Sequence, residues 1–282
     1  MRRRPTISAT ALAVGLLIGS AASAATIELS VDSAATLGGL SDISNGDIVN
    51  YDTVANTATL AFDEGLFSTP ESVDAYDRLP NGHMVFSTFN SATLGSNSLL
   101  FQNGDLVQYD PVNDLATLIF SESLFTGNTN IDGVAVLANG HFLISTDTDA
   151  ILGGLSFRDG DIVDYDPIGN IATLFFNEDL FGADQNVNAI DIDASGMLLL
   201  SISSTGGATL GGLSFGNGDL ILYDPIGDTA TLFFSEALFT GGNEDVDAVA
   251  FAFPIPEPGT ASLLGLGLAG LGLAGRKRSA RG

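Results

Sequence analysis

The chain has no cysteine and no tryptophan, and only nine of its 282 residues are Lys or Arg. Without thiols there is no disulfide framework, no thiolate metal centre and no Cys nucleophile, so stability has to come from packing. Without Trp, stacking on sugar rings loses its best side chain. The shortage of positive charge is sharper than the count suggests. Arg2, Arg3, Arg4, Arg276, Lys277, Arg278 and Arg281 lie at the two ends, which leaves Arg78 and Arg158 for the body. Of 34 acids only Glu257 lies outside residues 25–255, so 33 acids face two arginines there, a formal charge of −31. Such a body excludes nucleic acid as a partner and attracts divalent cations, although the same charge also serves solubility outside a cell.

Both ends read as addresses. Arg2 to Arg4 precede an apolar run from Ala9 to Ile18 and a small-residue cleavage site at Ala22-Ser23-Ala24, the three parts of a secretory signal peptide for signal peptidase. The bulky residues expected after a twin-arginine pair are missing, which favours the general secretion route. At the other end Pro256-Glu257-Pro258 is followed by an uncharged Leu/Gly/Ala run from Ala261 to Gly275 and by Arg276-Lys277-Arg278. As a helix, residues 260–275 would span about 24 Å, a little under the roughly 30 Å hydrocarbon core, and the basic cluster would stay on the cytoplasmic side. This tail resembles the PEP-CTERM sorting signal of exported bacterial proteins. The resemblance covers about a tenth of the chain and implies recognition by an exosortase, passage through the inner membrane, and delivery to the surface or exopolymer matrix of a Gram-negative bacterium. An ordinary membrane anchor is the plainer alternative. The expected division is residues 1–24 as signal peptide, 25–254 as body and 255–282 as sorting signal.

The body repeats. Gly46-Asp47-Ile48-Val49-Asn50-Tyr51-Asp52 recurs at Gly104 to Asp110, Gly160 to Asp166 and Gly218 to Asp224, each followed by Ala-Thr-Leu and then by an acid-x-Leu-Phe element such as Glu178-Asp179-Leu180-Phe181. A period near 57 residues indicates a propeller, solenoid or array. One unit predicts four strands: Ile131 to Leu137, His141 to Thr146, Asp161 to Tyr165 and Ile171 to Phe176. Asn139-Gly140 predicts a two-residue type I′ turn between the first two. The mature chain begins in mid-unit with Thr26 to Val31 and ends with a lone first strand, Glu244 to Phe251. Putting that orphan where the first unit lacks a strand closes a ring. The expectation is an all-β, four-bladed β-propeller, with another β-repeat array or a paired sandwich as alternatives.

Candidate chemistry is sparse. His83 and His141 share a repeat slot with Met197, which argues for packing or turn roles. No Ser sits in a nucleophile elbow, and the body has no Lys, so no catalytic set and no organic cofactor is expected. Acids are the abundant functional group. Asp74, Asp132, Asn188 and Asp247 stand at one slot in the four first strands, which line a propeller's axis. As a ring they would supply the hard oxygens that Ca²⁺ prefers; as single residues they would cap local turns. The Gly-Asp and Tyr-Asp acids read as turn formers. The Leu-Gly-Gly segments at Leu37, Leu152 and Leu210, with Leu94-Gly95-Ser96 as variant, read as left-handed corners of four similar rim loops. Asp147 and Asp149 lack counterparts and are not read as a site. Two function classes follow: a noncatalytic surface or matrix protein binding cations, exopolysaccharide or surface components, or a polymer hydrolase or lyase using an acid pair such as Asp132 with Asp247.

Overall fold

The computed structural model describes residues 26–203, 206–241 and 244–252. The expected signal peptide and C-terminal helix lie outside them. Among the described residues no helix is long and apolar enough to cross a membrane.

Four four-stranded antiparallel sheets surround one axis, so the chain is a four-bladed β-propeller. The innermost strands are Val73–Arg78, Ile131–Val136, Val187–Ile192 and Val246–Phe251, each packed against the next around the ring. The last of them is the predicted orphan. It pairs with Thr26–Val31 in the register Ile27↔Phe251 and Leu29↔Val249, completing the first blade with Ile48–Asp52 and Thr57–Phe62. Closure leaves the first blade with no open inner edge.

Sequence sets the gradient from axis to rim. The second strands, among them Met84–Thr88, Phe142–Thr146 and Leu198–Ile202, are buried on both faces and read as continuous apolar runs. The outermost strands, such as Thr57–Phe62, leave half their side chains exposed. Between blades, the Phe of each acid-x-Leu-Phe element is buried against aromatic neighbours: Phe67 meets Phe62 and Phe86, and Phe181 meets Phe176 and Phe215. These T-shaped and tilted contacts weld each blade to the next.

Two local expectations change. The Asn-Gly turns are not type I′, because only the glycine is left-handed: Gly140 has φ 85°. The Gly140 N–H donates to Leu137 O and the Leu137 N–H to His141 O, giving a type I turn closed by a glycine bulge. The two-residue left-handed turns fall instead at Leu-Gly-Gly. There the corner is a further hairpin, as in Ala150–Leu152 with Leu155–Phe157, whose Gly153 and Gly154 have φ of 54° and 84°. It lies against the neighbouring blade, where the Thr126 N–H donates to Ile151 O at 2.9 Å.

Candidate functional site at the acidic end of the axis

Most repeated acids are fully used by the fold. Asp161 accepts from Glu178 N at 2.9 Å and from Arg158 N at 2.9 Å, and Asp47, Asp105 and Asp219 make the same two bonds in their blades. The glycine before each has no room to vary: a Cβ on Gly160 would lie 2.0 Å from Gln185 O. Asp52, Asp110, Asp166 and Asp224 each accept from the N–H two residues on, at 2.8–2.9 Å, as Asx turns do. Within the same turns each repeat tyrosine donates to a residue five positions on, as from Tyr165 to Asn170.

The histidines tie strands together. The His141 Nδ1 lies 2.7 Å from Asp164 Oδ1, and the His83 Nδ1 lies 2.7 Å from Gln108 Nε2. Both arginines are also committed. Arg78 donates to both oxygens of buried Glu28 at 2.7 and 2.8 Å, joining the first blade to the second, and the Tyr76 hydroxyl donates to the same carboxylate. Arg158 pairs with Glu178 at 3.0 Å and Asp179 at 2.9 Å.

A further set of acids gathers at one end of the axis. Asp74, Asp132, Asn188 and Asp247, the second residues of the four inner strands, line one cavity of about 230 Å³. Asp147, Asn130 and Asn186, none of them read as a site from sequence, line it too, with Phe89 and Ser203. The asparagines stand among the carboxylates. Asn130 Nδ2 donates to Asp74 at 2.6 Å and to Asp132 at 3.2 Å, Asn186 Nδ2 to Asp132 at 3.2 Å, and Asn188 Nδ2 to Asp247 at 3.4 Å. Their carbonyl oxygens are buried without a partner. Asn130 and Asn188 are only 5% and 6% exposed.

Neither arginine lines this cavity, and the carboxyls respond to the missing counter-charge. Burial raises Asp74 to about 7, with the Asn130 amide pulling the other way and Glu71 adding to the rise. Asp132 is raised well above its ordinary value by burial and then by Asp74 and Asp147. Asp247 is raised well above it by burial, then by Asp74, Asp32 and Asp132. Like charges brought out of water on one axis oppose each other's ionisation. Carboxylate and amide oxygens are the hard donors that Ca²⁺ takes. The axial carboxylates are spread around the mouth rather than crowded. Among the described residues, the one set of three acidic, His or Cys side chains with ligand atoms all within 4.8 Å of one another is Asp159, Glu178 and Asp184. That triad, absent from the sequence reading, is a possible metal-binding group. Burial and then Asp184 raise Asp159, and Asp159 in turn adds to the rise at Asp132, so triad and axis belong to one acidic surface.

The opposite end also carries a pair that sequence did not reveal. Asp77 and Asp191 occupy the fifth slot of diagonally placed inner strands, where the other two strands have Ala135 and Ala250. Each accepts from the backbone of the next inner strand: Asp77 from Val136 N at 2.7 Å and Asp191 from Phe251 N at 2.5 Å. Burial raises both, and Asp77 adds to the rise at Asp191. Only placing the fifth slots together on the axis exposes this pairing.

Fold and site together define a four-bladed β-propeller with an acidic axial mouth. At its C-terminus the chain carries a PEP-CTERM protein-sorting motif, the family of that description matching residues 254–278. Proteins with this motif are exported and sorted to the cell surface, and the motif implies an exosortase as partner. No curated protein matches the chain by sequence. Among solved structures it is similar to a luciferin-regenerating enzyme (12% identity, TM-score 0.34, 75% of this chain and 61% of that one). It is similar too to a protein of unknown function from Bacteroides caccae (9%, 0.34, 80% and 98%) and to virginiamycin B lyase from Staphylococcus aureus (7%, 0.33, 73% and 69%). The chain thus spans about three fifths of the luciferin-regenerating enzyme. At these values the likeness says nothing of substrate or activity.

Proposed function

We propose that this is a noncatalytic surface or matrix protein that binds Ca²⁺ at the acidic end of its axis and, through the cation, acidic exopolysaccharide or other surface components. The observation that carries the reading is the mouth itself: Asp74, Asp132 and Asp247 share a cavity with the unpartnered oxygens of Asn130 and Asn188, and no arginine lines it. Asn188 belongs to the ligand set through its amide oxygen, and Asp147 stands beside it as a further carboxylate. A bound cation would answer both the repulsion among the carboxylates and the lone oxygens of the amides. The noncatalytic part of the reading rests on residue types: the body offers no Cys, no Lys and no activated serine.

Calorimetric titration of Ca²⁺ into the purified protein tests this. Saturable binding is expected, lost in the Asp132→Asn, Asp247→Asn double variant while the fold persists. Heats equal to dilution in the parent protein would reject the reading. Binding that survives the double variant but disappears in Glu178→Gln would move the cation to the Asp159, Glu178, Asp184 triad.

A further inference from the structure

The acidic mouth carries a second ring, and there the repeat is broken. Just beyond the second strands Asp32, Phe89, Asp147 and Ser203 occupy one slot, fixed by one backbone bond: their N–H groups donate to Asp245 O, Ser72 O, Asn130 O and Asn186 O at 3.1–3.2 Å. The backbone is the same in each blade, but the side chains are two acids, a hydroxyl and an aromatic ring. Asp32 and Asp147 return a bond to the facing residue, accepting from Asp245 N at 3.2 Å and Asn130 N at 3.1 Å. Phe89 has no such bond to return. It is 61% exposed, the most exposed aromatic side chain among the described residues, and it lines the mouth with Asp74 and Asn130. The other strongly exposed apolar side chains, Val54, Val112, Ile168 and Ile226, share one slot of the outer turns and so belong to the repeat. Phe89 does not.

Around this ring the mouth is crowded with acceptors. Asp74, Asp132, Asp147 and Asp247 line it, and no Lys or Arg does. Both amide protons of Asn130 are spent, on Asp74 and Asp132. The amide oxygens of Asn130 and Asn188, side chains 5% and 6% exposed that line the same cavity, have no partner. At about 230 Å³ the cavity is larger than a bare ion fills, since a water takes roughly 30 Å³. A bare ion also makes no use of a phenyl face. The apolar end of the axis differs: Leu79, Val136, Leu137, Ile192 and Phe251 wall it, Arg78 lines it, and its carboxyls Asp77 and Asp191 are held by backbone N–H groups.

We propose that the acidic mouth is also the site of an organic cation, an alkylammonium group seated among Asp74, Asp132 and Asp247 with its methylene chain laid on Phe89, and that this ligand and Ca²⁺ exclude each other. An ammonium brings three donors and no acceptor, which answers the carboxylates and the orphaned amide oxygens together. The face of the phenyl ring attracts positive charge, and the chain behind an ammonium covers apolar surface while its head stays among polar groups. The chemistry has two sources, a free aliphatic amine or a lysine side chain of a partner protein. The inference shares its carboxylates with the Ca²⁺ reading but rests on Phe89, which that reading leaves unused.

Calorimetric titration of butylammonium into the purified protein, in chelator at pH 8, tests it. Saturable binding is expected, several-fold tighter than that of methylammonium, abolished in Asp132→Asn, Asp247→Asn and displaced by Ca²⁺. Phe89→Ala should keep the parent's thermal melt, because the ring is exposed, and should erase the preference for the longer chain. Absence of saturable amine binding would overturn the inference. So would a chain-length preference that survives Phe89→Ala. Amine binding by a protein that gives no heat with Ca²⁺ would support this inference and reject the Ca²⁺ reading, and Ca²⁺ binding without amine binding would do the reverse. Nα-acetyl-lysine amide, titrated alongside, names the source: binding equal to that of butylammonium supports a protein side chain, and its exclusion supports a free amine.

Discussion

The two ends of the axis are built from the same four strands, yet they treat buried carboxyls in opposite ways. At the apolar end Asp77 and Asp191 sit on alternate strands with alanines between them, and each receives an N–H from the strand that follows. At the acidic end three strands carry Asp and the fourth Asn, and the neighbouring groups offering protons are asparagine amides whose oxygens are then left over. The difference lies in what a buried charge is given. Backbone N–H groups fixed by the sheet make Asp77 and Asp191 part of the ring's closure, whereas side-chain amides leave the other mouth with unmet acceptors, the condition that favours a ligand.

Of the four strands shared by both ends, Val246–Phe251 closes the ring, and removing it gives the largest effect. Deleting residues 244–252 strips the inner strand from the first blade, exposing partners of the buried Val246, Ala248 and Val249. The loss rivals the whole stability of an ordinary domain, about 5–15 kcal/mol, so the cooperative melt should vanish. Truncation after residue 254 should leave it intact. A body that melts normally without the closing strand would refute the ring.

Next in size is Arg78→Met. It leaves Glu28, 5% exposed, without its bidentate partner, and breaking such a pair costs about 3–5 kcal/mol. Pairing it with Glu28→Gln should recover much of the loss in a thermal melt, because no buried charge then remains.

Smaller changes separate the ends by sign. Asp77→Asn keeps an acceptor for the Val136 N–H and removes the charge facing Asp191, so it should raise the melting temperature at pH 8 by a few degrees, with or without Ca²⁺. Asp132→Asn should give a similar gain in chelator. In excess Ca²⁺ it should instead melt below the parent, because it has lost a ligand. If both variants respond to Ca²⁺ alike, the two ends do not differ as described.

The ring was readable because its evidence is periodic: four copies of one pattern, with an orphan first strand at one end and the place for it at the other. The axial Asp74, Asp132, Asn188 and Asp247 were readable for the same reason, as one slot of the repeat. What escaped lies off that period or between blades. Asn130 and Asn186 come just before the inner strands, and Asp147 just after a second strand; only the ring brings them to the mouth. Asp159 and Asp184 have no acidic counterparts in the other blades and meet through a loop contact, while Glu178, although repeated, gains its role from them. The Asn-Gly turns went astray because asparagine tolerates a left-handed backbone without requiring it, and the register of the strand pair left only Gly140 there.

The account's central claim is that the acidic mouth holds carboxyls the fold leaves without counter-charge, and a thermal melt against pH tests it most directly. Asp74 is raised to about 7 from 3.8, and Asp132 and Asp247 are raised too, so the native protein holds these protons more tightly than the unfolded chain does. The stability this gives is complete below about pH 4 and is lost as pH rises through 7. In chelator the melting temperature should therefore fall from pH 5 to pH 8, and saturating Ca²⁺ should restore it at pH 8 while changing little at pH 5. A profile that is flat or rises towards pH 8 in chelator, with no response to Ca²⁺, would contradict the claim.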